Sequence, residues 1–237
     1  MKFSSEKKKD LLFKIAKKIK YNPDIPIAQI SKDLNISRTT TYNYIKELEN
    51  EQIVYTDSKG IKQLRMQLIS RYRLINNNLD ETTVYNEHIA PKIKHLDLRC
   101  VVKMKHACQE IINNVIDHSN SPTLGIIVTE DYMSVRVIIM DSGIGIFKKI
   151  CDYFHLENLS DAILELDKGK CTTASANHSG EGIFFSSKMV DLFFIQANRI
   201  QYISKNDFKH SYLLENIKGT WNKGTYVSME IIKDNSR

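Results

Sequence analysis

The sequence contains no apolar run long enough to cross a bilayer, because a membrane helix needs about 20 consecutive apolar residues. Its first ten residues lack the apolar core of a secretory signal peptide. The four cysteines, Cys100, Cys108, Cys151 and Cys171, show no C-x-x-C spacing, which disfavours a zinc site or a disulfide framework. We therefore expect a cytoplasmic protein with reduced thiols and no membrane partner.

An excess of positive charge is absent from most of the chain. Residues 1–66 hold fourteen lysines and arginines against eight acidic residues, whereas residues 67–237 hold twenty of each. The whole formal excess of +6 therefore lies in the first quarter of the chain. A basic segment joined to a neutral one predicts a polyanionic partner for the basic segment. The absence of a Gly-rich linker between the two favours a stiff connection.

The basic segment has the pattern of three helices followed by a hairpin. Apolar residues recur at helical spacing over about 4–20, and a short second helix begins at Pro26. A third helix is predicted over 38–50, capped by a serine. Strand-like segments at 53–55 and 61–65 then flank a turn.

This order of elements resembles a winged helix-turn-helix domain, with the motif at 27–48 and the third helix as its recognition helix. The resemblance implies double-stranded DNA as a partner. The alternative is a winged helix that binds only protein. The polar outer face of the third helix and the charge excess both favour nucleic acid instead. The candidate DNA-contacting residues are Arg38, Thr39, Tyr42, Asn43 and Lys46, with Lys59 in the wing.

Residues 67–99 are predicted to be a helical connector. Leu68, Ile69, Tyr72 and Ile75 fall at helical spacing, and 82–95 has the pattern of a second helix. These helices would link two domains or form a dimer interface, and the sequence leaves both roles open.

The run 108–118 predicts a helix in which Glu110 and Asn114, four residues apart, project from one face. Asn114 could supply a neutral oxygen ligand to Mg²⁺ that bridges phosphates. Glu110 could orient or deprotonate the attacking nucleophile. The simpler interpretation is that both residues lie on the wet face of an amphipathic helix.

A predicted hairpin over 124–140 delivers Asp141 to the end of a strand, beside Gly143 and Gly145. A carboxylate in this place can accept the exocyclic amine of adenine, although a plain Asp-Ser-Gly turn would look the same. A dinucleotide fingerprint is excluded because the third glycine is missing at the required spacing, and the Walker pattern is absent as well.

The segment 168–179 is polar and rich in small residues, which favours a mobile lid over phosphates or else a surface loop. Gly180 and Gly182 then open a helix, whose bare N-terminal amides would make an anion site. The lid residues that could reach phosphates are Lys170, Thr172, Thr173 and His178.

Four pieces of this half of the chain, in this order, resemble the boxes of the GHKL superfamily of ATPases, which includes gyrase, MutL and histidine-kinase catalytic domains. The first is similar to Glu-x-x-x-Asn and the second to Asp-x-Gly-x-Gly. The third is similar to Gly-x-Gly-Leu, with Ile183 in place of the leucine, and the last is Gly-Thr at 224–225. The run 178–189 is particularly similar to a bacterial branch in which a helix-turn-helix often precedes the ATPase.

The resemblance covers about 100–232 and implies ATP or ADP and Mg²⁺ as ligands, with Asp141 reading the base and the Thr225 hydroxyl supporting it. It also implies a Bergerat-type α/β sandwich with a mixed, mostly antiparallel sheet. The whole chain is then expected to be α+β. Its domains would be a winged helix at 1–66, the connector at 67–99 and an ATP-binding domain at 100–237.

Three functions remain open at this point. The first is an ATP-binding transcriptional regulator in which Mg·ATP modulates the winged helix. The second is a weak Mg-dependent ATPase or a protein kinase acting on a partner protein, as in the anti-sigma-factor kinases of the superfamily. Self-phosphorylation is not expected, because none of His88, His95 and His106 is followed by an acidic residue. The third is an interaction scaffold with a relic site, and a homodimer is expected in each case.

Overall fold

The computed structural model describes residues 4–167, 182–206, 210–214 and 223–233. The chain forms two compact units. The first unit runs to Gln67 and includes the turn Glu130–Ser134, and the second begins at Leu68 and resumes at Val135. Within the described ranges, every helix is too short or too polar to cross a membrane.

The first unit has the three helices and the hairpin that the sequence predicts. Two serines begin its long helices: the Ser4 hydroxyl accepts from the Lys7 amide at 3.3 Å, and the Ser37 hydroxyl accepts from the Thr40 amide at 3.0 Å. The strands pair antiparallel. The elements are α1 (Ser5–Tyr21), α2 (Ile27–Asp33), α3 (Arg38–Asn50), β1 (Val54–Thr56) and β2 (Lys62–Leu64).

One apolar core holds these elements together. Its members come from the inward positions of all three helices and from β1, with Met133 of the turn 130–134 fully buried among them. Burial of side chains of this size contributes about 1.5–3 kcal/mol each. The buried residues are Leu12, Ile15, Ala16, Ile19, Ile30, Ile45, Leu48, Val54 and Met133.

The second unit combines helices with a seven-stranded sheet, so the α+β class is confirmed. The strand order is β3-β4-β5-β9-β6-β7-β8, and β6 pairs antiparallel with both β7 and β9, as β7 does with β8. The elements are β3 (Gln67–Ile75), α4 (Glu81–His88), α5 (Ala90–Ile93), α6 (Leu98–His118), β4 (Thr123–Glu130), β5 (Ser134–Asp141), α7 (Ile146–Phe154), α8 (Asp161–Asp167), α9 (Gly182–Met189), β6 (Leu192–Ala197), β7 (Ile200–Lys205), β8 (His210–Leu214) and β9 (Thr225–Ile232).

Alternating residues of the central strands share one core with the apolar face of α6. Val135, Val137 and Ile139 of β5 are buried in the same cluster as Ile111 and Ile112 of the helix. This arrangement orients α6, because its apolar face is fixed against the sheet and its polar face is turned away.

The prediction of a helix at the start of the connector is wrong, because 67–75 forms the edge strand β3. The apolar spacing over 147–166 predicts a single helix, whereas in the structure α7 ends at Phe154 and His155 adopts a left-handed φ of 53°. The apolar run 193–203 predicts one strand, whereas β6 and β7 form a hairpin there. Its two-residue turn consists of Asn198 and Arg199, with φ values of 51° and 65°.

The cap of the recognition helix is a measurable part of the first unit's stability. We expect Ser37→Ala to lower the free energy of unfolding by about 1 kcal/mol, because the substitution leaves the Thr40 amide without its acceptor. Urea unfolding of the full chain, followed by circular dichroism, measures this change. Ser58→Ala, at an exposed position in the wing turn, is the matched control and should lie within about 0.5 kcal/mol of the parent.

Candidate nucleic-acid and nucleotide sites

Helix α3 presents a polar face and buries an apolar one. Thr41, Ile45 and Leu48 are buried, with exposed fractions of 0%, 2% and 0%. The five positions predicted to contact DNA all lie on the exposed side of the helix: Arg38, Thr39, Tyr42, Asn43 and Lys46. The structure therefore gathers these candidates on one accessible helical face.

Two lysines near this face already have interactions within the unit. The Lys46 ammonium lies 2.9 Å from Glu49 and 5.7 Å from the centroid of the Tyr42 ring. The Glu49 carboxylate also lies 3.4 Å from Lys62 at the base of the wing. The hydrogen bond with Glu49 raises the pKa of Lys46. Lys46 must leave Glu49 to bind a phosphate, whereas Arg38 has no acidic residue within four positions of it in sequence.

The wing presents Lys59 at the tip of a tight turn. The Asp57 carboxylate accepts from the amides of Lys59 and Ile61, both at 2.9 Å. Gly60 follows with a φ of 80°, a conformation that glycine adopts without strain. Lys59 is exposed, as a phosphate-contacting residue must be.

In the second unit, Asp141 ends β5 with a side chain that is only 4% exposed. Its Oδ1 accepts from the Gly143 amide at 2.7 Å. The Thr225 amide and hydroxyl also donate to this carboxylate. Burial raises the pKa of Asp141, and these hydrogen bonds oppose the rise. The carboxylate that is predicted to read adenine is therefore buried and supported by Thr225.

The loop after Asp141 is fixed by close approaches that exclude side chains. A Cβ on Gly143 would overlap the Ser119 carbonyl, which accepts from the Ile144 amide at 3.1 Å. A Cβ on Gly224 would overlap the Asp141 carbonyl. Glycine is required at both positions because backbone lies against backbone there.

Glu110 and Asn114 lie on α6, as the spacing predicts. The Asn114 amide nitrogen donates to the Glu110 carbonyl at 2.8 Å. The amide oxygen therefore points away from that carbonyl and is available as an acceptor. A Cβ on Gly182 would overlap Oε2 of Glu110, so this carboxylate lies at the start of α9.

Helix α6 connects the surroundings of Glu110 with the loop that follows Asp141. Glu110 and Ser119 are nine residues apart, or about 14 Å at the rise of an α-helix. One end of this span meets the start of α9 and the other meets the loop that follows Asp141.

Several predicted residues are not placed by the structure. Lys170, Thr172, Thr173, His178 and Gly180 lie outside the described residues. Ile183 is described, and it packs against the core of the second unit. Within the described ranges, no group of three or more His, Cys, Asp and Glu side chains could hold a metal ion.

Three residues near the loop were missed from the sequence. Ser119 accepts from Ile144, Lys149 donates to the His118 carbonyl at 2.8 Å, and Asn198 bonds the loop from the β6–β7 turn. The run 193–203 has the apolar pattern of one strand, and arginine is not favoured at the second position of a two-residue turn, so no local signal revealed Asn198. Burial lowers the pKa of Lys149.

Comparison with known proteins bears on the first unit. Residues 9–55 match the family model described as winged helix-turn-helix DNA-binding. The first unit is therefore a winged helix-turn-helix DNA-binding domain, as predicted, and its partner is double-stranded DNA. A domain of this kind indicates a DNA-binding transcriptional regulator.

The wider comparisons add no argument about the second unit. One solved structure, described as the IcIR transcriptional regulator from Alicyclobacillus acidocaldarius, is 13% identical. The similarity covers 99% of this chain and 91% of that one, with a TM-score of 0.30, too low to establish a shared fold. No curated protein matches the chain.

The burial of Asp141 gives stability a specific pH dependence. Because its pKa is raised in the folded protein, its contribution is fully present below the ordinary value of 3.8 and is lost as the pH rises through the folded pKa. We expect the free energy of unfolding of the parent to fall relative to Asp141→Asn as the pH rises above the ordinary value of 3.8. Urea unfolding of both proteins across this range measures the difference. A difference that is constant or grows with pH would contradict the burial argument.

Proposed function

We propose that this protein is an ATP-binding transcriptional regulator of the cytoplasm, in which Mg·ATP in the second unit modulates DNA binding by the first. The observation that carries the proposal is the buried Asp141 carboxylate, held by Gly143 and Thr225 at the end of β5. A buried, hydrogen-bonded acid beside a glycine loop suits recognition of an amine-bearing base. The family resemblance of the four boxes supplies the GHKL assignment.

The donor set also suits a magnesium nucleotide. Mg²⁺ retains several waters and takes few protein ligands, with phosphate oxygens completing its shell. The Asn114 amide oxygen could provide the one neutral ligand, and the start of α9 could bind phosphate oxygens through its amides. Bound in this way, the metal would neutralise phosphate charge, while Glu110 remains close enough to orient a nucleophile.

The path from nucleotide to DNA is proposed to follow β5. This strand begins at Ser134, within the first unit, and ends at Asp141, within the second. Met133, just before the strand, is fully buried in the core of the first unit. One strand thus connects Asp141 covalently to Met133, which lies in the same core as the buried face of α3.

A second candidate is phosphoryl transfer to a partner protein, which the position of Glu110 favours. Its carboxylate lies against Gly182 at the start of α9, the candidate phosphate-binding end of that helix. Incubation with labelled ATP and a cell extract tests this function. Label on a protein, lost in Glu110→Gln, would support it, and the absence of label with the parent would remove it.

Nucleotide binding is the first expected outcome. We expect Mg·ATP to bind the parent, measured by calorimetry, and the affinity to fall at least about 100-fold in Asp141→Asn, since the amide can offer the adenine amine only a weaker acceptor beside a repelling N–H. Asp152→Asn, at an exposed acid of α7 paired with Lys148, is the matched control and should bind as the parent does.

The same proteins test the regulatory link. DNA affinity, measured by fluorescence anisotropy on selected sites, should differ with and without Mg·ATP for the parent and for Asp152→Asn, but not for Asp141→Asn. A coupling of about 1–3 kcal/mol would appear as a 5- to 150-fold change. Equal DNA affinity and equal oligomeric state in both conditions would overturn the regulatory function while leaving DNA binding intact.

DNA contact by α3 has its own test. We expect Arg38→Ala to weaken DNA binding and to reduce the salt dependence of log K by about one unit, because one phosphate or base contact is lost. Lys14→Ala removes the same charge from the exposed face of α1, where Lys14 pairs with Asp10, and should leave the salt dependence unchanged. Equal effects of the two substitutions would mean that only net charge matters.

A further inference from the structure

Helix α7 begins without a local cap. Its N-cap residue is Gly145, with a φ of 85° and no side chain to accept from the first amides. Two distant residues accept instead. The Thr225 hydroxyl accepts from the Ile146 amide, and Oδ1 of Asn198 accepts from the Lys148 amide, both at 3.1 Å. Because these amides are already bonded, the start of α7 is not an open anion site.

Asn198 bonds both sides of Gly145. Besides accepting from Lys148, its amide nitrogen donates to the Ile144 carbonyl at 3.1 Å. A Cβ on Gly145 would overlap this amide, with the side-chain carbon of Asn198 only 2.8 Å away. The single side chain of Asn198 therefore binds the loop before the glycine and the helix after it.

We propose that Asn198 is a positioning residue for the base-reading carboxylate, an inference that rests on the proposed function. The Ile144 amide donates to the Ser119 carbonyl and the Ile144 carbonyl accepts from Asn198, which fixes the peptide units on both sides of Ile144. The neighbouring Gly143 amide donates to Oδ1 of Asp141 at 2.7 Å. A loop held in this way keeps the carboxylate in one orientation and so favours adenine, whose amine can donate to it, over guanine, whose O6 cannot.

Asn198 also forms part of the β6–β7 turn, and this role in the turn has to be distinguished from the positioning of Asp141. Asn198 and Arg199 form a two-residue turn with positive φ at both positions, a conformation that favours asparagine or glycine. Asn198→Gly therefore keeps the turn and removes both bonds to the loop. Asn198→Asp keeps the turn and the acceptor for Lys148, but it loses the donor to Ile144. Asn78→Gly, at an exposed asparagine with a φ of 52°, is the matched control.

The experiment is calorimetry of Mg·ATP and Mg·GTP binding to the full chain and these three variants, with thermal unfolding recorded for each. We expect Asn198→Gly to weaken Mg·ATP binding about five- to tenfold, the loss of one or two hydrogen bonds, with little change in Mg·GTP binding. Asn198→Asp should fall between it and the parent, and Asn78→Gly should match the parent. The ratio of ATP to GTP affinity is the readout that general loosening of the fold would not change selectively.

The outcomes are distinguishable. Parent-like ATP affinity and selectivity in Asn198→Gly would overturn the positioning role and leave the proposed function standing. If that variant does not fold, parent-like affinity and selectivity in Asn198→Asp would overturn the role in the same way. A parent chain that binds neither nucleotide would overturn the proposed function and the positioning role together.

Discussion

A carboxylate buried at the end of a strand has to be supplied with donors, and much of the second unit's candidate site meets this requirement at Asp141. Moving an ionised carboxylate from water into the protein interior costs several kcal/mol unless hydrogen bonds replace those it made with water. Here the Gly143 and Thr225 amides and the Thr225 hydroxyl provide them. Supplying those donors requires β9 to begin beside the end of β5, and Gly224 permits that approach because a Cβ there would overlap the Asp141 carbonyl.

The sequence predicted the parts of the fold in which local pattern and tertiary environment agree. Helix α3 is a clear case, because Ser37 caps it and Thr41, Ile45 and Leu48 fall on one face that is buried. Strand β3 shows the opposite case, since Leu68, Ile69, Tyr72 and Ile75 match a helical period. In the structure Tyr72 and Leu74 pack against the core, whereas Leu68 and Ile75 are exposed. Arg71 and Arg73 alternate with Tyr72 and Leu74, so a strand period is also present here, and pairing in the sheet selected it over the helical one.

The candidate site was predictable in its chemistry but not in its supports. Glu110, Asn114 and Asp141 carry side chains whose type and spacing suggest a task, so they could be proposed from the sequence. Asn198 acts through hydrogen bonds to a loop around Ile144, which lies 54 residues earlier in the sequence. The sequence around Asn198 itself has the pattern of one continuous strand. Contacts of that kind depend on how β6, β7 and β9 are paired, which becomes visible only in the folded sheet.

A regulatory role requires that the nucleotide bind two states of the protein unequally, since a ligand with equal affinity for both shifts nothing. The loop after Asp141 is well suited to such a difference, because its bonds to Ser119, Asn198 and Thr225 come from three different elements. A base that bound Asp141 would act on the three elements that hold these residues, and on β5. That strand is paired on both sides, with β4 and β9, and is therefore stiff along its length. Its other end is the turn whose Met133 is buried in the core beneath the recognition helix. Under the proposed regulation, β5 is the covalent link between the loop and that turn.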